Sequence, residues 1–395
     1  MHILQATSEF YPYSKTGGLA DMVAGLSSAL ADMRHEVTIV TPLHRGIRDK
    51  HPELKSTRFT LRIPMGRRIV KGYVRKIIPR RNLTVLFVDQ PRYYDREGIY
   101  MENGTGYPDN PERFIFFSKA VVKIASKLRR KPDVIHCHDW QTGLIPSLLQ
   151  NTKGQGSRAS MPGTCLSIHN LAYQGVCDAG NYRLTNLPRN YFTSSAVEFY
   201  GQLNFMKAGL VFADQLTTVS PQYATEIMTP EFGEGLDGVV RQRVGDLSGI
   251  LNGVDYTQWR TTGNPRLYYD YSAQDLSGKN RNKAALLDEL GLRCQQKMPP
   301  LYAYVGRLAD QKGIDLILET IPRWLTKSDR MFVLLGNGDP CLENKFRQMQ
   351  SDFPDSVCCH IGYHEPRAHL IEAAADFFLM PSRFEPCGLN QLYSL

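Results

Sequence analysis

No run of about 18 apolar residues occurs in the 395-residue chain, so no membrane-spanning helix is expected. The opening Met1-His2-Ile3-Leu4-Gln5-Ala6-Thr7 lacks a basic stretch and a long apolar stretch. It reads as the start of a strand rather than as a signal peptide. No C-x-x-C pair exists among the eight cysteines, 137, 165, 177, 294, 341, 358, 359 and 387. They are therefore expected to be reduced thiols of a cytosolic protein. No Asp-x-Asp occurs either, so no acidic pair of that kind is available to hold Mg²⁺ on a diphosphate. Short-period repeats and low-complexity tracts are absent, and no nucleic-acid-binding motif is found.

Apolar residues make up 42% and charged residues 22%, which excludes disorder, collagen and coiled coil as the main description. The length fits two domains at roughly 100–200 residues each. Lys and Arg number 47 against 39 Asp and Glu, a formal net charge of +8. Such an excess suits an anionic small molecule, a polyanion or a soluble surface. Its densest part is Arg67, Arg68, Lys71, Arg75, Lys76, Arg80 and Arg81, interleaved with Ile69, Val70, Val74, Ile77 and Ile78. This cluster reads as a pair of strands on a solvated sheet edge rather than as a nucleic-acid patch.

Short apolar runs alternate with amphipathic segments. Strands are expected at 2–6, 37–41, 85–88, 133–136, 164–168 and 215–219, with helices over 18–33 and 111–128. Residues 253–277 break the pattern. A second series follows, with strands at 301–305, 331–335, 357–361 and 377–380. Its helices lie near 313–326, 341–350 and 367–375, and a last one starts at Pro386. The pattern predicts an α/β protein of two Rossmann-like domains: 1–255, a linker 256–280, and 281–395. Chemistry in such folds gathers where strand C-termini meet helix N-termini.

Five segments fall at such places. Ser14-Lys15-Thr16-Gly17-Gly18-Leu19-Ala20-Asp21 joins a strand to a helix. It is neither a P-loop nor a dinucleotide fingerprint, and fits equally a phosphate cradle or a plain glycine turn. In Val134-Ile135-His136-Cys137-His138-Asp139, His136 and His138 share one strand face while Cys137 points away. No fourth metal ligand is evident, and Asp139 at the strand end is the better candidate. Ser167-Ile168-His169-Asn170 offers donors and acceptors to a polyhydroxy ligand, or is a satisfied turn. Val305-Gly306-Arg307-Leu308-Ala309-Asp310-Gln311-Lys312-Gly313 brings two cations to one strand–helix turn, as a diphosphate leaving group requires. Pro381-Ser382-Arg383-Phe384-Glu385-Pro386-Cys387-Gly388 places a carboxylate beside a helix start.

Lys-Thr-Gly-Gly-Leu-Ala-Asp, His-Cys-His-Asp-Trp-Gln, His-Asn-Leu-Ala-Tyr-Gln-Gly, Leu-Asn-Gly-Val-Asp, Val-Gly-Arg-Leu-Ala-Asp-Gln-Lys-Gly and Pro-Ser-Arg-Phe-Glu-Pro-Cys-Gly-Leu occur in this order. In order and spacing the chain resembles the bacterial glycogen synthase and plant starch synthase family over essentially its whole length. The resemblance implies a GT-B-type glycosyltransferase of two facing Rossmann-like domains. It implies an ADP-glucose donor, an α-1,4-glucan (glycogen) acceptor, retention at the anomeric carbon, and neither metal nor cofactor. No nucleic-acid or membrane partner is expected, and the location implied is cytoplasmic.

Position by position, Lys15, Gly17 and Gly18 match the family's donor-binding loop. Asp139 and His169 match groups lining the sugar pocket, and Asn170 adjoins it. Asn252 matches the Asn of the Asn-Gly-Val-Asp turn. Arg307 and Lys312 match the diphosphate pair, with Gln311 beside them. Tyr363 matches an aromatic beside the adenine. Glu385, Cys387, Gly388, Leu389 and Asn390 match the loop and helix start that hold sugar hydroxyls and phosphate. Related retaining transferases carry a second Glu eight residues after the first; here that place is Tyr393. The family continues past the position of Leu395. The second domain is therefore expected to be incomplete and loose near 377–395, and catalysis by this form weak or absent. A nucleotide-sugar- or glucan-binding protein without turnover is the alternative.

Overall fold

The structure, a computed structural model, describes residues 1–102, 104–153, 161–293, 298–326 and 329–395. Cys294 lies outside the described residues. The other seven cysteines are free thiols. The chain divides into two compact units, 1–253 and 254–395.

The first unit is built on a nine-stranded sheet. In space its strands run Leu247–Gly249, Gln215–Thr218, Gly163–Ile168, Val134–His138, His2–Ala6, Glu36–Pro42, Leu83–Asp89, Arg68–Arg80, Lys55–Met65. The first seven are parallel, and the last two join antiparallel. Strands covered on both faces read as continuous apolar runs, and Glu36–Pro42 is buried at every position after its first. Helix Gly18–Asp32 turns Ala20, Val23, Ser27 and Ala31 inward, at helical spacing. Helix Asn110–Lys127 starts with Pro111 in its first turn and buries Phe114, Phe116, Phe117, Val121 and Ile124. Each such buried side chain contributes roughly 1.5–3 kcal/mol.

The basic cluster departs from expectation. Residues 68–80 form one strand, not two, and it is internal: Lys55–Met65 covers its free side and takes the edge. Its Gly72, Val74 and Ile77 are buried, and it is internal because it is paired on both sides. Three of its cations are paired: Arg68 with Glu112, Arg75 with Asp89 and Arg80 with Asp32.

The second unit has a four-stranded parallel sheet in the order Val357–Ile361, Met331–Gly336, Leu301–Val305, Phe377–Phe378. The order reverses between Leu301–Val305 and Phe377–Phe378, which makes the crevice beyond those strand ends the natural ligand site. Residues 256–280 count with this unit. Asn282 on helix Ser277–Glu289 accepts from the Tyr268 and Tyr269 N–H groups at 3.1 and 3.0 Å. The final helix spans Leu389–Ser394 and does not begin at Pro386. Gly388, at φ +76°, is the turn residue that starts it, and only a glycine adopts that backbone cheaply. The last strand stops at Phe378, although the Leu379 N–H still donates to the Ala303 carbonyl at 2.7 Å.

Candidate active site

In the first unit the site grows from the C-terminal ends of three adjacent parallel strands. After His2–Ala6 the chain turns at Glu9, which is buried. The Glu9 carboxylate accepts from the Thr16 N–H, and from the Thr16 hydroxyl and the Tyr100 hydroxyl at 2.7 Å each. Tyr100 arrives because buried Arg113 donates to the Tyr93 and Ile99 carbonyls at 2.7 and 2.9 Å, clamping the segment that carries it. Burial pushes the Glu9 carboxyl up, and these hydrogen bonds oppose that shift.

Lys15 pairs with Asp21 at 2.9 Å. Gly17 has extended backbone, and a Cβ there would meet nothing within 4 Å. Neither conformation nor internal packing demands a glycine at 17. Gly18 follows as the first residue of the helix.

Asp139 ends strand Val134–His138 at φ +58°, a conformation rare for a non-glycine residue. Its Oδ1 accepts the His169 and Asn170 N–H groups at 2.7 and 3.4 Å, tying two neighbouring strand ends together. Burial raises its carboxyl to about 7, and Glu9 adds to the rise. His169 Nε2 lies 3.1 Å from His138 Nδ1, and His138 Nε2 lies 2.7 Å from Gln5 Oε1. His136 bonds Ser167 at 2.7 Å, and its ring stands 4.2 Å from that of His138, as a shared strand face requires. Burial lowers His136 to about 4 and His169 to about 3, so both imidazoles are neutral near pH 7. Among the described residues no group of three or more His, Cys, Asp or Glu side chains is placed to hold a metal ion. Asn252 lies in the loop after Leu247–Gly249.

In the second unit the two expected segments meet. Lys312 Nζ lies 2.5 Å from Glu385 Oε1, and the Ser382 hydroxyl donates to the same oxygen at 2.6 Å. The Gln311 side chain donates to the Phe384 carbonyl at 3.2 Å, and the Arg383 N–H donates to the Gln311 carbonyl at 2.9 Å. Gly313, at φ +62°, leaves no room for a side chain, since a Cβ would sit 2.0 Å from the Pro381 carbonyl oxygen. Asn390 reaches back to the Val305 carbonyl at 2.6 Å. Arg307 is exposed, and its carbonyl accepts from the Tyr304 hydroxyl at 2.7 Å. Cys387 and Leu389 flank Gly388, partly buried. Tyr363 follows Val357–Ile361 at the same sheet end, exposed, with its hydroxyl donating to Glu365 at 2.9 Å.

Sequence reasoning singled out neither Glu9 nor Tyr100. Glu9 stands in Ser-Glu-Phe with no motif of its own, and its partner lies 91 positions away. An acidic residue just past the first strand end was the one available signal.

Two Rossmann-like units, each with polar groups gathered at its strand C-termini, are the architecture of the GT-B glycosyltransferase fold, and the relatives of this chain share it. The chain matches the starch synthase catalytic domain family over residues 2–242, and the glycosyl transferases group 1 family over 299–394. It is 43% identical to a glycogen synthase of Opitutus terrae and 46% identical to one of Anaeromyxobacter sp. (strain Fw109-5). In both alignments all of this chain covers 82% of the relative. The solved catalytic domain of starch synthase IV from Arabidopsis thaliana, bound to ADP and acarbose, is similar at TM-score 0.90 and 32% identity. That match covers 100% of this chain and 80% of the other. A sucrose-phosphate synthase from Thermosynechococcus elongatus, 15% identical at TM-score 0.56, shares the fold alone. The chain belongs to the glycogen and starch synthase family of hexosyltransferases.

Proposed function

We propose that the chain transfers glucose from ADP-glucose to the non-reducing end of an α-1,4-glucan, with retention of configuration. The observation that carries this reading is the Arg307–Lys312 turn, joined to Glu385 at the switch point of the second unit. Lys312 and Arg307 neutralise the departing diphosphate. Glu385, Asp139 and His169 orient the glucose, with Asn170 and the backbone of Gly17 and Gly18 close to the donor. Gln311, Cys387, Gly388, Leu389 and Asn390 shape the pocket around the phosphates and hydroxyls. Tyr363 stacks on the adenine, and Lys15 and Asn252 complete the donor contacts. The bond from glucose C1 to the β-phosphate oxygen breaks, and its electron pair leaves with ADP. The acceptor 4-hydroxyl oxygen forms the new bond on the same face, and its proton passes to the leaving phosphate. No side chain is assigned a covalent role.

The basic cluster is read as a solvated sheet face rather than a nucleic-acid site, since three of its cations already hold carboxylates. No described helix is long and apolar enough to cross a membrane, and a cytoplasmic location fits a glycogen acceptor. The test is incorporation of radiolabelled glucose from ADP-glucose into glycogen by the purified chain. Incorporation would support the reading. ADP binding without incorporation would favour the non-catalytic alternative, and neither would reject the reading.

A further inference from the structure

The terminal helix Leu389–Ser394 has six residues, and isolated helices shorter than about 12 residues are marginal. Its start is tied down by the Asn390 bond to Val305. Its end is tied down by an aromatic stack. The Tyr393 ring lies 4.0 Å from the Trp259 ring, with 10° between the planes. The His369 ring lies 3.8 Å from Trp259, at 19°. Two near-parallel rings this close to one indole would overlap if they shared a face, so they take opposite faces. Trp259 is thus clasped between them.

The base of this stack is firm. His369 is buried on helix Glu365–Ala374, whose Leu370, Ile371 and Ala374 belong to the core of the unit. The segment that carries the indole is also fixed. The Trp259 N–H donates to the Asp255 carbonyl at 3.0 Å, and the Asn264 side chain donates to the Arg260 carbonyl at 2.9 Å. Arg266 adds an ion pair to Glu365 at 3.4 Å. Tyr393 is the outermost ring, and the helix it ends is the one that Gly388 begins.

We propose that Trp259 is a positioning residue for the donor site. It clamps Tyr393, so the short helix stays formed and Glu385, Gly388 and Asn390 keep their places at the switch point. The link to donor binding rests on the function proposed above; the clamp itself rests on the rings alone.

The experiment uses the full chain and the variants Trp259→Ala, Trp259→Phe, Tyr393→Ala and the double alanine variant. Two quantities are read: hydrogen exchange at 389–394, and ADP affinity by calorimetry. In Trp259→Ala both exchange and the ADP dissociation constant should rise about tenfold. Trp259→Phe should keep both within about twofold, because a ring remains. Tyr393→Ala should reproduce the alanine effect while leaving the Trp259–His369 contact in place. The double variant should be no worse than either single one, since both break the same contact. As a control, Trp324→Ala removes a ring that packs on Tyr302 and should leave ADP affinity unchanged. Unchanged exchange and affinity in Trp259→Ala, or additive losses in the double variant, would overturn the proposal. Should Trp259→Ala unfold the unit, Trp259→Phe and Tyr393→Ala still decide. If the unaltered chain fails to bind ADP, the donor reading falls and the exchange pattern alone judges the clamp.

Discussion

Lys312 holds Glu385: the ammonium lies 2.5 Å from Oε1, joining residues 73 positions apart at one turn. The lysine proposed to meet a diphosphate is thus paired with a carboxylate, and in that proposal donor binding must redistribute the pair. Lys312→Ala removes the cation and leaves Glu385 with the Ser382 hydroxyl. Turnover should fall about 10²–10³-fold, the usual cost of losing one group that stabilises developing charge. Lys312→Arg should recover only part, since a planar fork does not replace a compact ammonium. Steady-state rates with ADP-glucose and glycogen check this; unchanged turnover in the alanine variant would remove Lys312 from the leaving-group role.

Glu9 organises the glycine loop through acceptor bonds alone. In Glu9→Gln one acceptor oxygen becomes an amide NH₂ that faces donors. The loss should be about 1–3 kcal/mol, the cost of leaving buried polar groups unsatisfied. The loop at 15–18 should loosen with it, raising the KM for ADP-glucose and lowering the stability of the first unit while leaving that of the second unchanged. Urea unfolding and donor kinetics together test this. A variant with wild-type stability and donor KM would show that Thr16 and Tyr100 hold the loop without the carboxylate.

Much of this arrangement was legible in the sequence because strand ends and helix starts are marked locally. The runs at 2–6, 301–305 and 357–361 are strands with the bounds their apolar residues suggest. Lys312 and Glu385 stood out because each follows a strand end, although their direct bond is a long-range fact. What periodicity could not show was pairing. Residues 68–80 looked like an edge because edge and interior strands differ in their neighbours, not in their own pattern. The last helix was placed three residues early because Pro386 favours a helix start, whereas the positive φ of Gly388 decides it. The Trp259 clamp joins residues 110 and 134 positions from the tryptophan, beyond any local signal.

Acid should weaken the first unit. Burial holds His44 and His136 at about 4, His169 at about 3 and His138 well below 6.5. A histidine depressed in this way contributes stability that is complete above pH 6.5 and is lost as pH falls through its folded value. Asp139 runs the other way: raised from 3.8 to about 7, its contribution is full below 3.8 and is lost as pH rises through 7. Between pH 6.5 and 4 four depressed histidines oppose two raised carboxyls, Asp139 and Glu9, so the urea midpoint should fall. Asp139→Asn removes one of the two opposing groups. Its acid loss should be steeper than that of the unaltered chain, and its relative stability highest near pH 8. A midpoint that stays flat or rises on acidification would contradict the neutral, buried imidazoles.

Catalysis should survive metal removal. A transferase that uses Mg²⁺ on a diphosphate needs carboxylates to hold the ion, and the sequence has no Asp-x-Asp to do so. Glu385, the carboxylate nearest the proposed diphosphate, is already engaged by Lys312 and Ser382. In the proposed reaction the charge that a metal would neutralise falls instead to Arg307 and Lys312, which flank one turn. Fixed cations of this kind need no ion in solution, so glucose incorporation should be unchanged in millimolar EDTA. It should fall as ionic strength screens the exposed Arg307, while the partly buried Lys312 is screened less. Loss of incorporation in EDTA, restored by Mg²⁺ alone, would mean that the side-chain cations do not suffice and that an ion completes the site.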